Sequence, residues 1–98
     1  MTAPEAKVKA KLKRALKALP FPVYQFWPVQ TGMGASTVDC LICTGGKFLA
    51  VETKAPGKHP TPRQRMLIEQ IDEAGGIALV VSTDEEIAKV LDWARLCQ

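Results

Sequence analysis

A pair of adjacent glycines is the feature that most constrains how this chain can fold. Gly-Gly at 45–46 separates two segments rich in β-branched and aromatic residues, 38–43 and 47–54. Two such segments joined by two glycines are typical of a tight β-hairpin, because both turn positions require a positive φ. The turn also sets the register, so that residue i of the first strand faces residue 91 − i of the second.

This register brings three charged side chains to one spot. Asp39 is directly opposite Glu52, with Cβ atoms about 5 Å apart on one face of the sheet. Lys54 returns to that face because successive side chains of a strand alternate. Carboxylates held so close repel each other, so a folded protein usually gives them a cation. Oxygen ligands suit Mg²⁺ or Mn²⁺, and a lysine beside such a metal suits phosphoryl chemistry.

Length and composition indicate a small globular protein. The chain has 98 residues, enough for one domain over residues 1–98, and a hydrophobic content of 47%. No apolar run approaches the ~18 residues that a membrane helix needs. The N-terminal segment alternates alanine with lysine and lacks the apolar centre of a signal peptide. We therefore expect a cytoplasmic protein with no membrane partner.

The charge is unevenly distributed along the chain. Residues 1–20 hold six cations against one acid, whereas residues 79–98 hold two cations against four acids. The N-terminal segment can therefore meet a polyanion, although a solvated amphipathic helix gives the same pattern. Either of two helical stripes could follow a phosphate backbone: Lys7, Lys11 and Arg14, or Lys9, Lys13 and Lys17.

Three cysteines and one histidine make a disulfide framework or a zinc site a poor interpretation. Cys40 and Cys43 have CxxC spacing, but on a strand an odd separation sends the two sulfur atoms to opposite faces. No second cysteine pair accompanies them, and His59 stands alone. We predict buried core thiols.

Periodicity and turn residues predict the order α-β-β-β-α-β-α, with a mixed sheet flanked by helices. Pro28 makes the first strand short or places it at an edge. Thr61 and Gln64 form a capping box at the start of the second helix. The predicted elements are a helix at 4–19, strands at 23–29, 38–43 and 47–54, a helix from 61 to 74, a buried strand at 77–81 and a helix at 84–96.

Each of the first two helices is predicted to bury one apolar stripe. The first consists of Val8, Leu12, Leu16 and Leu19, and the second of Leu67, Ile68 and Ile71. Tyr24, Phe26 and Trp27 can stack on bases, although alternate strand residues are more often core.

Asp39 followed by Glu52-Thr53-Lys54, in this order of elements, resembles the PD-(D/E)XK nuclease superfamily. The VRR-NUC (virus-type replication-repair nuclease) group is most similar, especially its stand-alone phage members. Further matching segments are the glycine-containing loop at 32–37 and residues 48–54, 61–64 and 75–76. One departure is Val38, where the family usually has proline, a residue that supplies no ligand.

The resemblance implies a restriction-endonuclease-like core with a defined role for each site residue. Asp39 and Glu52 would bind the metal, and the backbone carbonyl of Thr53 would add an oxygen. Lys54 would orient or deprotonate the attacking water. Gln64 would lie beside the active site, near that water. The alternative for the charged cluster is a surface cross-strand pairing, and for Gln64 it is the capping box alone.

Further residues have an open assignment. Related resolvase-like nucleases use an acid at the position of Glu5 as an additional metal ligand, whereas an acid at a helix N-terminus also favours the helix without any metal. Basic residues on three segments are predicted to contact phosphates. They are Lys7, Lys11 and Arg14 on the first helix, Lys58 and His59 in the loop after the hairpin, and Arg63 and Arg65 on the second helix.

The function expected from these residues and the resemblance is that of an Mg²⁺- or Mn²⁺-dependent endodeoxyribonuclease. Its substrate would be branched or flapped DNA, such as a junction or a replication or repair intermediate. A homodimer is expected, without an organic cofactor, in the host cytoplasm if a phage encodes the chain. The alternatives are a non-cleaving nucleic-acid-binding module on the same fold, and a small interaction protein that pairs through the hairpin edge.

Overall fold

A computed structural model describes residues 3–29 and 37–98, and its elements follow the predicted order. Residues 30–36 of the predicted loop at 30–37 lie outside the described residues. The elements are α1 (Pro4–Lys17), β1 (Tyr24–Phe26), β2 (Cys40–Thr44), β3 (Lys47–Thr53), α2 (Pro62–Glu73), β4 (Ala78–Val81) and α3 (Asp84–Leu96).

The four strands form a mixed sheet, as predicted, in the order β1-β2-β3-β4. β2 is antiparallel to both β1 and β3, and β3 is parallel to β4. β1 is a three-residue edge strand, which fits the proline that follows it. The ladder of the hairpin runs from Cys40 opposite Val51 to Thr44 opposite Lys47. The predicted register is therefore confirmed.

The hairpin turn depends on both glycines, but for different reasons. Gly45 and Gly46 have φ values of 57° and 78°, which L-residues with a side chain rarely adopt. A Cβ on Gly45 would lie 2.0 Å from the backbone oxygen of Cys97, whereas one on Gly46 would meet nothing within 4 Å. The C-terminal end of the chain therefore packs directly on the first turn residue.

We expect Gly45→Ala to destabilise the protein clearly more than Gly46→Ala. Both substitutions impose a positive φ on alanine, at a cost of about 1–3 kcal/mol. Only Gly45→Ala must also displace the backbone at Cys97. Urea unfolding of the two variants measures the difference, and equal losses of unfolding free energy would contradict the close approach.

The core lies on one face of the sheet, beneath α1 and α3. The first predicted stripe is confirmed there, because its first three residues are buried and Leu19 packs against them. Val51 of β3 belongs to this core and Glu52 points the opposite way, since strand side chains alternate. The core residues are Val8, Leu12, Leu16, Cys40, Ile42, Leu49, Val51, Val81, Ile87 and Val90.

The prediction that the second stripe is buried is wrong. Leu67, Ile68 and Ile71 are only half-buried, and α2 contributes no buried residue. β4, predicted as a buried strand, is half-buried except at Val81. The cause is the position of β4 at the edge of the described sheet, where it contacts α2 and α3 but has a neighbouring strand on one side only. Within the described residues, no helix combines the length and apolarity needed to cross a membrane.

The thiols agree with the predicted core only in part. Cys40 is buried, and that burial raises the pKa of its thiol to about 12, so it stays protonated. Cys43 is half-buried, because it faces away from the core, and is therefore not the buried thiol predicted. All three cysteines are free.

Candidate functional site

The carboxyl groups of Asp39 and Glu52 meet at the end of the hairpin ladder. The prediction placed the two residues as a ladder pair, but the ladder ends one pair earlier, at Cys40 opposite Val51. Asp39 therefore precedes β2, and its carboxyl group still lies close enough to that of Glu52 for each to shift the pKa of the other. Both residues are buried, with 9% and 2% of their surface exposed. The predicted contact is confirmed.

Thr53 holds the Asp39 carboxylate in place. Its backbone N–H donates to Asp39 Oδ2 at 2.9 Å, and its hydroxyl donates to the same oxygen at 2.8 Å. Thr53 is fully buried, so these two bonds are protected from competition by water. The resemblance implied only a carbonyl role for Thr53, which stays a prediction, and the contribution of its amide and hydroxyl was not predicted.

The two carboxyls differ sharply in acidity. Burial, then the hydrogen bond and charge of Asp39, raise the pKa of Glu52 to about 8, with a smaller addition from Glu5 and an opposing effect of Lys54. Burial also acts to raise the pKa of Asp39. Its hydrogen bonds with Glu52 and Thr53 and the charge of Lys9 outweigh this, so the Asp39 pKa lies below its usual value. Without a cation, Glu52 therefore keeps its proton to a higher pH than Asp39 does.

Lys9 is a site residue that the sequence reasoning placed elsewhere. Its Nζ lies 3.8 Å from Asp39 Oδ1, with the lysine side chain 35% exposed. The sequence signal was its spacing of four from Glu5, which puts both on one side of α1. Lys54 lies directly after β3, is half-buried and acts electrostatically on Glu52, as expected from its place two residues beyond it. Its backbone N–H extends the sheet by donating to Val81 O.

Gln64 forms the predicted capping box and also contacts Glu52, while its role in the reaction stays a prediction. Its backbone N–H donates to Thr61 Oγ1, and its Oε1 accepts from the Thr61 N–H, which completes the capping box. Its Nε2 also donates to Glu52 Oε1 at 3.3 Å. The start of α2 is thereby tied to the carboxyl pair, on the face of the sheet opposite the core.

We expect Gln64→Ala to reduce the free energy of unfolding more than Thr61→Ala. Each variant removes one of the two hydrogen bonds of the capping box, at a cost of about 1 kcal/mol: Thr61→Ala the bond from the Gln64 N–H, and Gln64→Ala the bond from the Thr61 N–H. Gln64→Ala also removes a hydrogen bond to a buried carboxyl, which typically contributes about 1 kcal/mol more. Urea unfolding measures the two losses, and a larger loss for Thr61→Ala would show that the bond to Glu52 contributes nothing.

The remaining predicted residues are placed less tightly around the pair. Glu5 is half-buried and close enough for its charge to raise the pKa of Glu52. Its role as a metal ligand stays a prediction, because no group of three or more acids, cysteines or histidines able to hold a metal occurs within residues 3–29 and 37–98. The predicted phosphate contacts are all exposed: Lys7, Lys11, Arg14, Lys58, His59, Arg63 and Arg65.

The chemistry of the pair fits a divalent cation. Glu52 Oε2 is buried and has no hydrogen-bond donor among the described residues, so an ionised Glu52 would lack a partner there. Two nearby ammonium groups, Lys9 and Lys54, do not suffice to keep both carboxyls ionised, as the raised Glu52 pKa shows. Mg²⁺ is commonly held by one or two carboxylates, with water and substrate phosphate completing its shell. Asp39 and Glu52 match that donor set.

Known structures share this fold. One solved structure, described as "VRR_NUC domain protein", superposes with a TM-score of 0.79 and 21% sequence identity over 100% of this chain and 93% of its own. Another, described as "VRR_NUC domain", gives a TM-score of 0.74 and 22% identity over 93% of this chain and 97% of its own. No family model and no curated protein matches the sequence. The fold predicted from the resemblance is thus confirmed.

Proposed function

We propose that the protein is a metal-dependent endonuclease that hydrolyses phosphodiester bonds in branched or flapped DNA. The observation that supports this most is the buried pair of Asp39 and Glu52, with Lys54 within electrostatic reach. The fold shared with VRR-NUC domain structures supports the reaction class. The preference for junctions, flaps or repair intermediates rests on the resemblance of the sequence to that family.

Each site residue has a distinct task in this reaction. Asp39 and Glu52 would hold Mg²⁺ or Mn²⁺, which stabilises negative charge on the phosphate and lowers the pKa of a bound water. Thr53 fixes the Asp39 carboxylate through two hydrogen bonds. Gln64 orients Glu52 and stands beside the site. Lys54 orients the attacking water or takes its proton, and its charge stabilises the transition state.

The exposed cations supply the contacts with the DNA backbone. One group of cations lies on α1, which also bears Glu5. The other lies in the loop before α2 and in the first turn of α2, which also bears Gln64. Phosphate contacts of this kind position a substrate without reading its sequence, and their affinity falls with salt. The proposed contacts are Lys7, Lys11, Arg14, Lys58, His59, Arg63 and Arg65. The proposed setting is the cytoplasm of the host cell.

A panel of DNA substrates tests the proposal. Duplex, flap, fork and four-way DNA are incubated with the protein and Mg²⁺, Mn²⁺ or EDTA, and the products are separated on denaturing gels. Cleavage with metal and none in EDTA supports the endonuclease. Salt-sensitive binding without cleavage of any substrate would favour the non-cleaving binding module, and absence of both would favour an interaction protein.

We also propose that two copies associate through the open face of the sheet. Tyr24, Cys43 and Phe48 form one row across β1, β2 and β3, and the two aromatic residues are 61% and 64% exposed. Phe26 on the same face is 46% exposed. Aromatic residues are enriched at protein interfaces, and a two-fold dimer would present two sites to two DNA strands.

We expect Phe48→Glu to shift the protein from dimer to monomer, because it places a charge in the centre of this apolar row. Light scattering coupled to size exclusion measures the mass at micromolar concentration. Met66→Glu is the matched control, since Met66 is also exposed, at 57%, but lies on α2. A monomeric parent protein, or a dimer unaffected by Phe48→Glu, would contradict this interface.

A further inference from the structure

One row of lysines on α1 begins at the carboxyl pair and leads away from it. Lys9, Lys13 and Lys17 recur every four residues, so each is about 6 Å further along the helix axis than the last. The row starts at the site, where Lys9 Nζ is 3.8 Å from Asp39 Oδ1. Lys13 and Lys17 are exposed. The spacing is comparable with that of successive phosphates in an extended nucleotide strand.

The far end of this row opens onto a cavity with an aromatic wall. The cavity measures about 380 Å³ and is lined by Lys13, Lys17, Val23, Gln25 and Trp27. Two hydrogen bonds hold the Trp27 indole in place. Trp27 Nε1 donates to Gln25 Oε1 at 3.0 Å, and Gln25 Nε2 donates to Lys13 O at 3.3 Å. Lys13 Nζ lies 4.8 Å from the centroid of the indole ring. Positive charge and an aromatic surface thus meet at one place.

The other row of cations on α1 faces a different environment. Lys11 pairs with Asp84 at 3.1 Å, at the acidic first turn of α3. Among the described residues, the row of Lys9, Lys13 and Lys17 has one ion pair, that of Lys9 with Asp39 in the site itself. Each row thus has one ion pair among the described residues, but in the row of Lys9, Lys13 and Lys17 that pair is with the site, so this row leads a polyanion to the carboxyl pair.

We propose that Lys9, Lys13, Lys17 and Trp27 form a track for a single-stranded segment of the DNA substrate, such as the arm of a flap. This rests on the proposed nuclease function and specifies how the substrate strand approaches the site. Successive phosphates lie along the three lysines, and an unpaired nucleotide enters the cavity beside Trp27. Lysine grooves combined with an aromatic side chain bind single strands, whereas the bases of a duplex are stacked and unavailable for such contact.

The intrinsic fluorescence of Trp27 reports occupation of the track. The chain has two tryptophans, so with selective excitation of tryptophan Trp93→Phe reports on Trp27 alone and Trp27→Phe on Trp93 alone. Each variant is titrated with an unlabelled oligothymidylate and, separately, with a blunt duplex of equal length, in EDTA. Gels verify that the DNA remains intact. We expect saturable quenching in Trp93→Phe with the single strand, little with the duplex, and no change in Trp27→Phe.

The lysines are tested by the salt dependence of binding, measured as anisotropy of a labelled single strand. We expect Lys17→Gln to reduce the slope of log affinity against log salt by about 0.7, which lowers affinity about five-fold near 0.1 M salt. Lys89→Gln is the matched control, because Lys89 is an exposed lysine on α3, outside the track and the cavity. Lys13→Gln should behave like Lys17→Gln.

The proposal is overturned if the single strand binds without quenching Trp27, if the duplex quenches equally, or if Lys89→Gln weakens binding as much as Lys17→Gln. Absence of single-strand binding overturns it as well. These outcomes are separable from the proposed reaction, because binding is measured without metal. If the single strand quenches Trp27 as expected but no DNA is cleaved, the track stands and the nuclease assignment falls. If DNA is cleaved but Trp27 is not quenched, the nuclease assignment stands and the track falls.

Discussion

Asp39→Asn is expected to slow metal-dependent DNA cleavage by at least about a hundred-fold while leaving the protein folded. A metal that stabilises charge on a phosphate contributes several kcal/mol to the transition state, and each 1.4 kcal/mol is a factor of ten in rate. Asparagine removes the negative charge that attracts the metal. It keeps an oxygen able to accept the two hydrogen bonds from Thr53. Single-turnover cleavage of the best substrate measures the loss.

Two further variants separate the causes of that loss. Lys54→Met should slow cleavage by a similar factor but preserve metal binding, because Lys54 acts on the water and the transition state. Asp72→Asn should have no effect, since Asp72 is an exposed acid on α2. Cleavage by Asp39→Asn within a few-fold of the parent rate would show that this carboxylate does not serve the reaction.

Without metal, the protein is expected to lose stability as pH rises from about 4.5 to about 8. The pKa of Glu52 is raised from its ordinary value of 4.5 to about 8 in the folded state. Between these values the folded state keeps a proton that the unfolded chain releases, so the free energy of unfolding falls with pH. The total fall is on the order of a few kcal/mol. Asp39, with its lowered pKa, acts only below its ordinary value of 3.8 and in the opposite direction.

Urea unfolding in EDTA at pH 5 and pH 8.5 measures this dependence. Glu52→Gln should flatten it, because glutamine has no charge to bury and keeps an acceptor for Gln64. Glu69→Gln is the control, as Glu69 is exposed on α2. Addition of Mg²⁺ at pH 8.5 should restore about 2.7 kcal/mol when its concentration is a hundred times the dissociation constant. A flat profile in the parent protein would show that Glu52 is not protonated in the folded state.

Local chemistry made the hairpin and the position of the site predictable. Two adjacent glycines between two strand-forming segments favour a two-residue hairpin turn, and that turn fixes the register. The sequence alone therefore predicts that Asp39 and Glu52 lie close together. The capping box at Thr61 and Gln64 was equally readable, because it depends on residues three apart in sequence.

Long-range packing made the remainder unpredictable. The contact between Lys9 and Asp39 joins residues thirty positions apart, and it depends on how α1 lies against the sheet. Thr53 donates to Asp39 only because the ladder stops one pair early. The half-buried state of Ile68 and Ile71 depends on how closely α2 lies against β4. Periodicity indicates which side of a helix is apolar, but not how completely that side is covered.

Calorimetric titration with Mn²⁺ at pH 7, in two buffers of different ionisation enthalpy, tests most directly whether Asp39 and Glu52 form a divalent-cation site. Glu52 is protonated at that pH, so binding must displace its proton into the buffer. We expect saturable binding that releases about one proton in the parent protein, and loss of both the binding and the proton release in Glu52→Gln. Absence of binding at millimolar Mn²⁺, or unchanged binding in Glu52→Gln, would contradict this account.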